Sequence, residues 1–402
     1  MNIDWTEVSE YFRRLPTKFN YMLIIQIIPL LIISSILIKE MNPELFHKQI
    51  LYYLIGAIVL SIAAFIPWER ILWWFAPASY IFNNILLIYV IFFGHSILGA
   101  KRWIAMPGGF TIQPSEFIKI SVVLMLAYMI NRNPPPAEGY GFKSFGKLSL
   151  IILFPFLLIA KEPDLGTAVV LMVTGYGILF LNKFKPIVWI LFFTVAVSIG
   201  FLGYSHLLRG YQKKRIHDFL NKPSYHVRQA LIAIGSGELK GKPKDQATQT
   251  QLKFLPISTS DFIFAYLGER FGFTGMVVVI ALYILLIIHL LNISKIFSDD
   301  YIISSVSAGI GFLIFVYTSV NIYMVIGMAP VVGVPLPMFS NGGTSFIIFA
   351  LFLGILINLI AVKTYIRYNP DSKLTMMKKE DIDSTLNKYV RRNRDETSNN
   401  II

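Results

Sequence analysis

Residues 275–291 read GMVVVIALYILLIIHLL, and this stretch decides the class of fold. Its 17 residues include no Lys, Arg, Asp or Glu. As a helix rising about 1.5 Å per residue the stretch is about 25 Å long, which approaches the hydrocarbon thickness of a bilayer, about 30 Å. The stretch therefore predicts a transmembrane helix.

Nine further apolar stretches occur along the chain: residues 21–37, 51–66, 71–93, 117–130, 148–160, 165–181, 187–204, 302–326 and 345–362. The 402-residue chain is 55% hydrophobic and 15% charged, which is typical of membrane proteins rather than of soluble domains. A membrane β-barrel would need alternating segments of about ten residues, and the sequence lacks them. We therefore predict an all-α polytopic membrane protein with about ten transmembrane helices.

The fourth stretch, residues 117–130, is short for a span, so it is expected to include the residues before it, from Pro114 to Glu116. Lys119 lies just inside the stretch. Ionisable groups at membrane depth are costly and usually paired. Glu116 and Lys119, three residues apart on one helix face, are expected to neutralise each other, either as a purely structural ion pair or as part of a site.

Lys and Arg residues predict which side each loop faces, because short cytoplasmic loops carry an excess of them. They recur at alternate span ends: Arg13, Arg14 and Lys18, then Arg70, then Arg132, Lys143 and Lys147, then Lys183 and Lys185, then Lys295, and the tail after Lys363. Both termini are therefore predicted to be cytoplasmic. We expect a cytoplasmic or interfacial segment of residues 1–20, a transmembrane domain of residues 21–362, and a polar cytoplasmic tail of residues 363–402.

One extracytoplasmic loop, at about residues 205–274 between the seventh and eighth spans, is large and basic. Between His206 and Ser260 it carries three acidic and ten basic residues, a net charge of +7 out of +13 for the chain. The basic residues are Arg209, Lys213, Lys214, Arg215, Lys222, Arg228, Lys240, Lys242, Lys244 and Lys253. Such a loop either contacts anionic lipid headgroups or binds an anionic substrate such as a lipid-linked diphosphate. Nucleic acid is not expected as a partner there.

The same loop ends in Asp261, which stands directly before the apolar residues Phe262 to Ala265 at the predicted membrane edge. Burial beside apolar groups raises the pKa of a carboxyl group, and nearby cations lower it. An aspartate under both influences can take a proton from a sugar hydroxyl as a general base. The alternative is structural, with Asp261 capping a helix that runs through Phe271.

Three other polar segments are predicted at the same outer face. Lys101, Arg102 and Trp103 combine two cations with an interfacial aromatic residue, which suits either a membrane anchor or a phosphate contact. Residues 161–166, KEPDLG, form a tight charged turn. Residues 328–344 contain three prolines and three glycines, which exclude a helix and predict a rigid irregular loop. Polar groups gathered at one face favour a shared site.

Several kinds of chemistry find no support in the sequence. No His or Cys residues have the spacing of a metal site, no glycine-rich phosphate loop follows a strand, and no serine has an evident histidine partner. The chain contains no cysteine, so disulfides and thiol catalysis are excluded. Hydrolase and ATPase functions are therefore not favoured.

With these residues the chain resembles the SEDS family (shape, elongation, division and sporulation), and its RodA branch, over nearly its whole length. The most specific motif is residues 321–345, NIYMVIGMAPVVGVPLPMFSNGGTS, which departs from the family pattern at Asn341, usually Tyr. Shorter matches are residues 101–104 (KRWI), 113–116 (QPSE) with Lys119, 162–167 (EPDLGT), 233–237 (AIGSG), 250–252 (TQL) and 261–264 (DFIF). Ala247 and Ile257 replace the usual Gly and Glu, and Ser258 or Thr259 the usual His.

The resemblance implies a glycosyltransferase of the bacterial cytoplasmic (inner) membrane. It would polymerise lipid II into β-1,4-linked glycan strands on the outer face, release undecaprenyl diphosphate, and serve cell elongation and rod shape. It implies Asp261 as the catalytic residue and functional roles for Arg102, Trp103, Glu116 and Lys119. The substrate-binding candidates are these four together with Asp164, Lys240, Ser340, Gly342 and Gly343. A class B penicillin-binding protein transpeptidase and the elongation machinery are the implied partners. A divalent cation, Mg or Mn, would assist at the diphosphate, but the sequence shows no ligand set for it.

Two other functions are consistent with some of these features. A lipid II flippase or transporter would also use ionisable residues and broken segments within helices, and internal inverted repeats would favour it. No such repeat is visible in the sequence. A non-catalytic scaffold for a transpeptidase would leave the intramembrane charges without a role.

Overall fold

The computed structural model describes residues 13, 15–97, 100–105, 111–162, 164–206, 224–247, 249 and 259–368. The chain divides into two compact units. One is Tyr21–Leu356, which contains every candidate site residue. The other comprises Met1–Asn20 and Ile357–Ile402, and its described part includes a short 3-10 helix, Leu15–Lys18.

Some of the predicted features lie outside the described residues. They include six basic residues of the outer loop, the motif at residues 250–252, the positions Ile257 and Ser258, and the tail from residue 369 onward. The six basic residues are Arg209, Lys213, Lys214, Arg215, Lys222 and Lys253.

The described α-helices are α1 Tyr21–Met41, α2 Pro43–Phe65, α3 Trp68–Phe93, α4 Pro114–Arg132, α5 Phe142–Lys161, α6 Leu165–Leu181, α7 Pro186–His206, α8 Tyr225–Ser236, α9 Ile263–Ile296, α10 Tyr301–Val325 and α11 Gly343–Tyr368. Eight of them, α1 to α5 and α9 to α11, are long and apolar enough to cross a membrane. Helix α6 and the first part of α7 are shorter apolar helices. Each of the ten predicted spans coincides with one of these helices, so the predicted all-α polytopic membrane fold is confirmed. The cytoplasmic location of both termini stays a prediction.

Local sequence accounts for where several of these helices begin. Asn42 caps α2, where its side chain accepts hydrogen bonds from two backbone N–H groups and Pro43 follows at the first helical position. Helix α4 begins at Pro114, so it includes Glu116 as the short fourth stretch predicts. Asp300 caps α10 by accepting from the N–H of Ile303.

Helix α9 consists of two helical segments that meet at Gly272, where the backbone has a left-handed φ of 65°. Its first segment begins directly after Asp261 and Phe262. The turn that follows α8 lies against Gly272, because a Cβ atom there would overlap the backbone of Leu239 and Gly241. A residue with a side chain would therefore be excluded at Gly272 both by its φ angle and by this contact.

A small three-stranded antiparallel sheet connects α3 to α4, in the order β1 His95–Ile97, β2 Ala100–Ala105 and β3 Thr111–Ile112. The sequence analysis predicts no strand in this segment, because strands of two to six residues are too short to show a clear alternation. Arg102 and Trp103 lie on β2, and Trp103 pairs with His95 across the sheet. Backbone hydrogen bonds of a sheet therefore position these two residues.

Residues 326–342 form the predicted irregular connection between α10 and α11. Part of it is buried within the larger unit: Leu336 and Phe339 are at most 2% exposed. The hydroxyl of Tyr283, in the middle of α9, donates to the carbonyl oxygen of Pro337 over 2.8 Å, and Ser34 of α1 donates to that of Phe339. Irregular backbone at membrane depth is tolerated where protein satisfies its polar groups. The segment is therefore more than the outer-face loop that the sequence predicts.

Candidate functional site

Asp261 belongs to a short turn whose backbone is held by three consecutive carbonyl groups. The carbonyl oxygen of Thr259 accepts from the N–H of Asn341 over 2.9 Å. That of Ser260 accepts from the hydroxyl of Ser340 over 2.7 Å. That of Asp261 accepts from the side-chain amide of Asn321 over 2.8 Å. The turn is therefore fixed against the irregular segment and against the end of α10.

The Asp261 carboxyl group is partly buried, and burial raises its pKa above the ordinary value. A hydrogen bond with Ser260 opposes this rise. Helix α9 begins at Ile263 with Phe262 at its N-cap position, and no side chain caps this end. The alternative in which Asp261 acts as the helix cap is therefore not supported. A raised pKa makes the ionised carboxylate a stronger base, which suits proton abstraction.

The Asp261 side chain faces Gly333 of the irregular segment, because a Cβ atom placed on Gly333 would lie 3.5 Å from its Oδ2 atom. The neighbouring Val332 packs against Gly166 in the first turn of α6, where a Cβ atom would lie 3.0 Å from the Val332 carbonyl oxygen. These contacts connect the turn at Asp261 with the charged turn at residues 161–166.

A second cluster surrounds Asp164, which is 3% exposed and caps α6 through the backbone N–H of Thr167. Its carboxylate also accepts from the Thr167 hydroxyl over 2.9 Å and from Gln113 Nε2 over 3.2 Å. Arg102 Nη1 lies 3.5 Å from Asp164 Oδ1. Arg102 Nε donates to the carbonyl oxygen of Glu162 over 3.4 Å. The sheet residue Arg102 and the turn residue Asp164 are thus brought together as a partly exposed ion pair.

Glu162 in this cluster is 2% exposed, and neither of its carboxylate oxygens has a hydrogen-bond partner among the described residues. Burial and, to a smaller extent, the charge of Asp164 raise its pKa to about 8, whereas Arg102 lowers it. A carboxyl group with this pKa is mostly protonated at neutral pH. Glu162 is therefore a neutral carboxylic acid beside the ion pair of Arg102 and Asp164.

We expect Glu162 to make folding stability fall as the pH rises from about 4.5 to about 8. In that interval the unfolded chain has released the proton and the folded protein retains it, so stability declines by up to about 1.4 kcal/mol per pH unit. The contribution is fully present below about 4.5 and is lost above the folded value. Glu162→Gln, which stays neutral, removes this decline. Thermal unfolding in detergent measures this effect. The midpoint of the variant minus that of the wild type is expected to increase as the pH rises from 5 to 9.

Glu138→Gln is the control for this experiment, because that side chain is 82% exposed and pairs with Lys185 at the surface. Exposed ion pairs contribute little to stability, so its midpoint is expected to follow that of the wild type. Parallel pH curves for Glu162→Gln and the wild type would contradict the buried, protonated state of Glu162.

The third cluster is the predicted pair Glu116 and Lys119 on α4. Lys119 is 2% exposed, and its Nζ atom lies 2.7 Å from Glu116 Oε1. Tyr317 of α10 completes the cluster: Lys119 donates to its hydroxyl, and this hydroxyl donates to Glu116 over 3.3 Å. The expected mutual neutralisation is therefore present in the structure. Tyr317 lies one helical turn before Asn321, so a single face of α10 contacts this cluster and the turn at Asp261.

The remaining predicted substrate-binding residues have different surroundings. Ser340 is 5% exposed, and besides donating to Ser260 its hydroxyl accepts from the Leu336 N–H over 2.9 Å. Gly343 packs against Tyr52 of α2, where a Cβ atom would overlap the ring. Gly342 directly precedes Gly343, and the half-buried Trp103 directly follows Arg102 on β2. Lys240 is exposed on the turn after α8, and no described contact joins it to the three clusters. Substrate contact by all of these residues stays a prediction.

Sequence reasoning missed four residues that build this region: Tyr317, Asn321, Glu40 and Arg270. Arg270 of α9 donates from Nε and Nη2 to the two oxygens of Glu40 at the end of α1, over 2.8 and 2.9 Å. Tyr266 donates to the same carboxylate over 2.8 Å. Asn321 opens the motif at residues 321–345, and the other three are polar residues inside or beside apolar stretches. Neither signal identifies partners far away in the chain.

The residues do not fit a protein-held divalent cation. In the part of the chain that the structure describes, no three His, Asp or Glu side chains are grouped as a metal site. The adjacent carboxyl groups Glu162 and Asp164 are an unsuitable pair, because Asp164 is already bonded by Gln113, Thr167 and Arg102.

Comparisons with known proteins agree with this architecture. The family model for cell cycle proteins of the FtsW, RodA and SpoVE type matches residues 14–365. The chain is 48% identical over 359 residues to the peptidoglycan glycosyltransferase MrdB of Helicobacter pylori (strain ATCC 700392 / 26695), covering 89% of this chain and 94% of that protein. It is 37% identical over 343 residues to the peptidoglycan glycosyltransferase MrdB of Escherichia coli (strain K12), covering 83% and 91%.

Two solved structures are similar in fold. One is a chain from a study titled "Structural coordination of polymerization and crosslinking by a peptidoglycan synthase complex", with a TM-score of 0.73 and 22% identity, covering 85% of this chain and 97% of that one. The other is the rod shape determining protein RodA of Thermus thermophilus, with a TM-score of 0.64 and 22% identity, covering 85% and 96%. At this identity the likeness concerns the fold, which is polytopic and helical in each case.

Proposed function

The chain belongs to the cell cycle protein family of FtsW, RodA and SpoVE, and from that premise we propose that it polymerises lipid II into β-1,4-linked glycan strands. It is a multi-pass membrane glycosyltransferase of peptidoglycan synthesis that serves cell elongation. The two MrdB relatives, 48% and 37% identical over most of the chain, support this assignment. The bacterial cytoplasmic membrane is where such a synthase acts, and the outer face is the proposed side of the reaction.

The observation that carries the mechanism is the setting of Asp261. Its backbone is held from three residues, and its carboxyl group is partly buried with a raised pKa. We assign it the role of general base on the 4-hydroxyl of the acceptor N-acetylglucosamine. The oxygen attacks the anomeric carbon of the donor N-acetylmuramic acid as the bond from that carbon to the diphosphate oxygen breaks. The proton passes to Asp261, the configuration inverts, and undecaprenyl diphosphate leaves.

Negative charge that develops on the leaving diphosphate requires positive groups nearby. Arg102 is the best placed of the described candidates, because it is only partly buried and its partner Asp164 holds it at the edge of the second cluster. The basic outer loop is the other proposed contributor, and Lys240 is its exposed candidate in the described part. Mg or Mn enters the proposal as a companion of the substrate's own diphosphate, since among the described residues no three His, Asp or Glu side chains are grouped as a metal site.

A class B penicillin-binding protein transpeptidase, within the elongation machinery, is the proposed protein partner. It would crosslink the strands that this chain polymerises. Support comes from the structural neighbour whose title describes polymerisation and crosslinking by one synthase complex. Nucleic acid has no role in the proposal.

Purified protein in proteoliposomes with fluorescently labelled lipid II tests the function. We expect glycan strands that appear as a ladder on gel electrophoresis and that are degraded by a muramidase. When the partner transpeptidase is included and its active site is blocked by penicillin, strands should still form, because the proposed activity belongs to this chain.

The same preparation separates the proposed function from the alternative, a lipid II flippase. Labelled lipid II placed in one leaflet is assayed for translocation by adding a membrane-impermeant quencher. Translocation of lipid II without any polymer would reject the proposed function and support a transporter. An unfolding transition shows whether the protein is folded. If folded protein gives neither translocation nor polymer, the proposed polymerisation is also rejected.

A further inference from the structure

We infer that Asn321 is a positioning residue that holds the general base Asp261 in place, an inference that rests on the proposed function. Asn321 is 0% exposed and lies in the last two turns of α10. It contacts the backbone of the Asp261 turn and not its carboxyl group. Its effect on the reaction is therefore indirect.

The Asn321 amide joins two segments that are separate in the chain. Its Nδ2 atom donates to the Asp261 carbonyl oxygen over 2.8 Å and to the Val334 carbonyl oxygen over 2.7 Å. Val334 directly follows Gly333, the residue that the Asp261 carboxylate faces. The two hydrogen bonds therefore attach the backbone of Asp261 and the backbone next to Gly333 to the same residue of helix α10.

The orientation of this amide follows from its neighbours, because two carbonyl oxygens face the same end of the side chain and only the NH₂ group can donate to both. Its Oδ1 atom is buried and has no hydrogen-bond partner among the described residues. A buried acceptor without a partner is costly. A leucine of similar size would fill this space without that cost. The pair of donated bonds is consequently the property that distinguishes asparagine here.

The other bonds to this turn come from the irregular segment and not from a helix. Asn341 and Ser340 hold the carbonyls of Thr259 and Ser260, and both belong to the connection between α10 and α11. Among the hydrogen bonds described to the carbonyl groups of Thr259, Ser260 and Asp261, the Asn321 bond is the one that comes from a spanning helix. Tyr283 and Ser34 hold the irregular segment at other points. Without the Asn321 bonds, the Asp261 end of the turn is expected to shift relative to α10. A displacement of about 1 Å at a reacting group can lower a rate about 100-fold.

The experiment compares Asn321→Leu and Asn321→Asp with the wild type in the lipid II polymerisation assay. For Asn321→Leu we expect kcat to fall about 100-fold while KM changes less than about threefold, because the base moves and substrate contacts remain. Asn321→Asp keeps the shape, and its protonated form donates one of the two bonds, so an intermediate kcat is expected. If the leucine variant fails to fold, the kcat of Asn321→Asp still tests the inference.

Asn84→Leu is the matched control, because Asn84 is also a buried asparagine whose Nδ2 donates to a backbone carbonyl and whose Oδ1 has no described partner. Its bond goes to Tyr80 within α3. Equal loss of kcat in Asn84→Leu and Asn321→Leu would overturn the inference, as would unchanged kcat or a rise in KM alone in the Asn321 variants. Absence of polymer from the wild type would instead reject the proposed function.

Discussion

Asp261→Asn is expected to lower the rate of lipid II polymerisation by at least about 100-fold, because the amide cannot accept the proton of the attacking hydroxyl. The substitution keeps the size of the side chain, and the bond that anchors this residue is made by its backbone carbonyl. Folding is therefore expected to be preserved. The same assay with labelled lipid II measures the loss, and KM is expected to change little.

Asp245→Asn is the control for this variant. Asp245 lies on the same outer connection, in the short helix Lys244–Gln246, and its side chain is exposed. The substitution removes one carboxylate from the predicted outer loop without changing the turn at Asp261. Full activity in Asp245→Asn together with loss in Asp261→Asn supports the assignment. Polymer made at equal rates by Asp261→Asn and the wild type would remove Asp261 from the mechanism.

Lys119→Met is expected to destabilise the fold strongly, by about 3–5 kcal/mol, because it leaves the Glu116 carboxylate without its cation in a region of low dielectric constant. Lys119 is 2% exposed, and its pair with Glu116 spans 2.7 Å. Thermal unfolding in detergent measures the effect. Lys185→Met is the matched control, since its ion pair with Glu138 spans 3.0 Å at the surface, and its midpoint is expected to change little.

The double variant Glu116→Gln with Lys119→Met separates a structural pair from a functional one. Removing both charges together is expected to restore most of the lost stability, because no unpaired charge remains buried. If the pair takes part in substrate binding, as the family resemblance predicts, polymerisation stays impaired in this stable protein. Recovery of activity along with stability would show that the pair only supports the fold.

The sequence does not show how polar residues are held, and Arg102 and Trp103 illustrate this. The sequence predicts that they act as a membrane anchor or a phosphate contact, and the structure adds that both lie on strand β2. Short strands between spans carry no periodic pattern long enough to be recognised. The irregular segment of residues 326–342 shows the same limitation. Its prolines and glycines predict its lack of helix, and only Tyr283 and Ser34 reveal that it enters the bundle.

Candidate site residues were found where a local rule makes them unusual. Asp261 stands out because a charged residue precedes four apolar ones, and Glu116 and Lys119 because they lie at membrane depth. Their partners follow no local rule. Lys119 and its contact Tyr317 are 198 positions apart in the chain, and Arg270 and Glu40 are 230 apart. Tyr317 looks like an ordinary polar residue of an apolar helix, and the motif that Asn321 opens does not say what Asn321 contacts.

The apolar stretch at residues 275–291 therefore represents what the sequence by itself determined: the helical class of the fold and the approximate places of the apolar helices. These follow from local composition, because a segment in lipid must satisfy its own backbone hydrogen bonds and match the thickness of the bilayer. Only the tertiary structure decided which helix faces meet. The rotation and depth of each helix depend on packing against its neighbours, and this packing brings Asn321 beneath Asp261 and Tyr317 against Lys119.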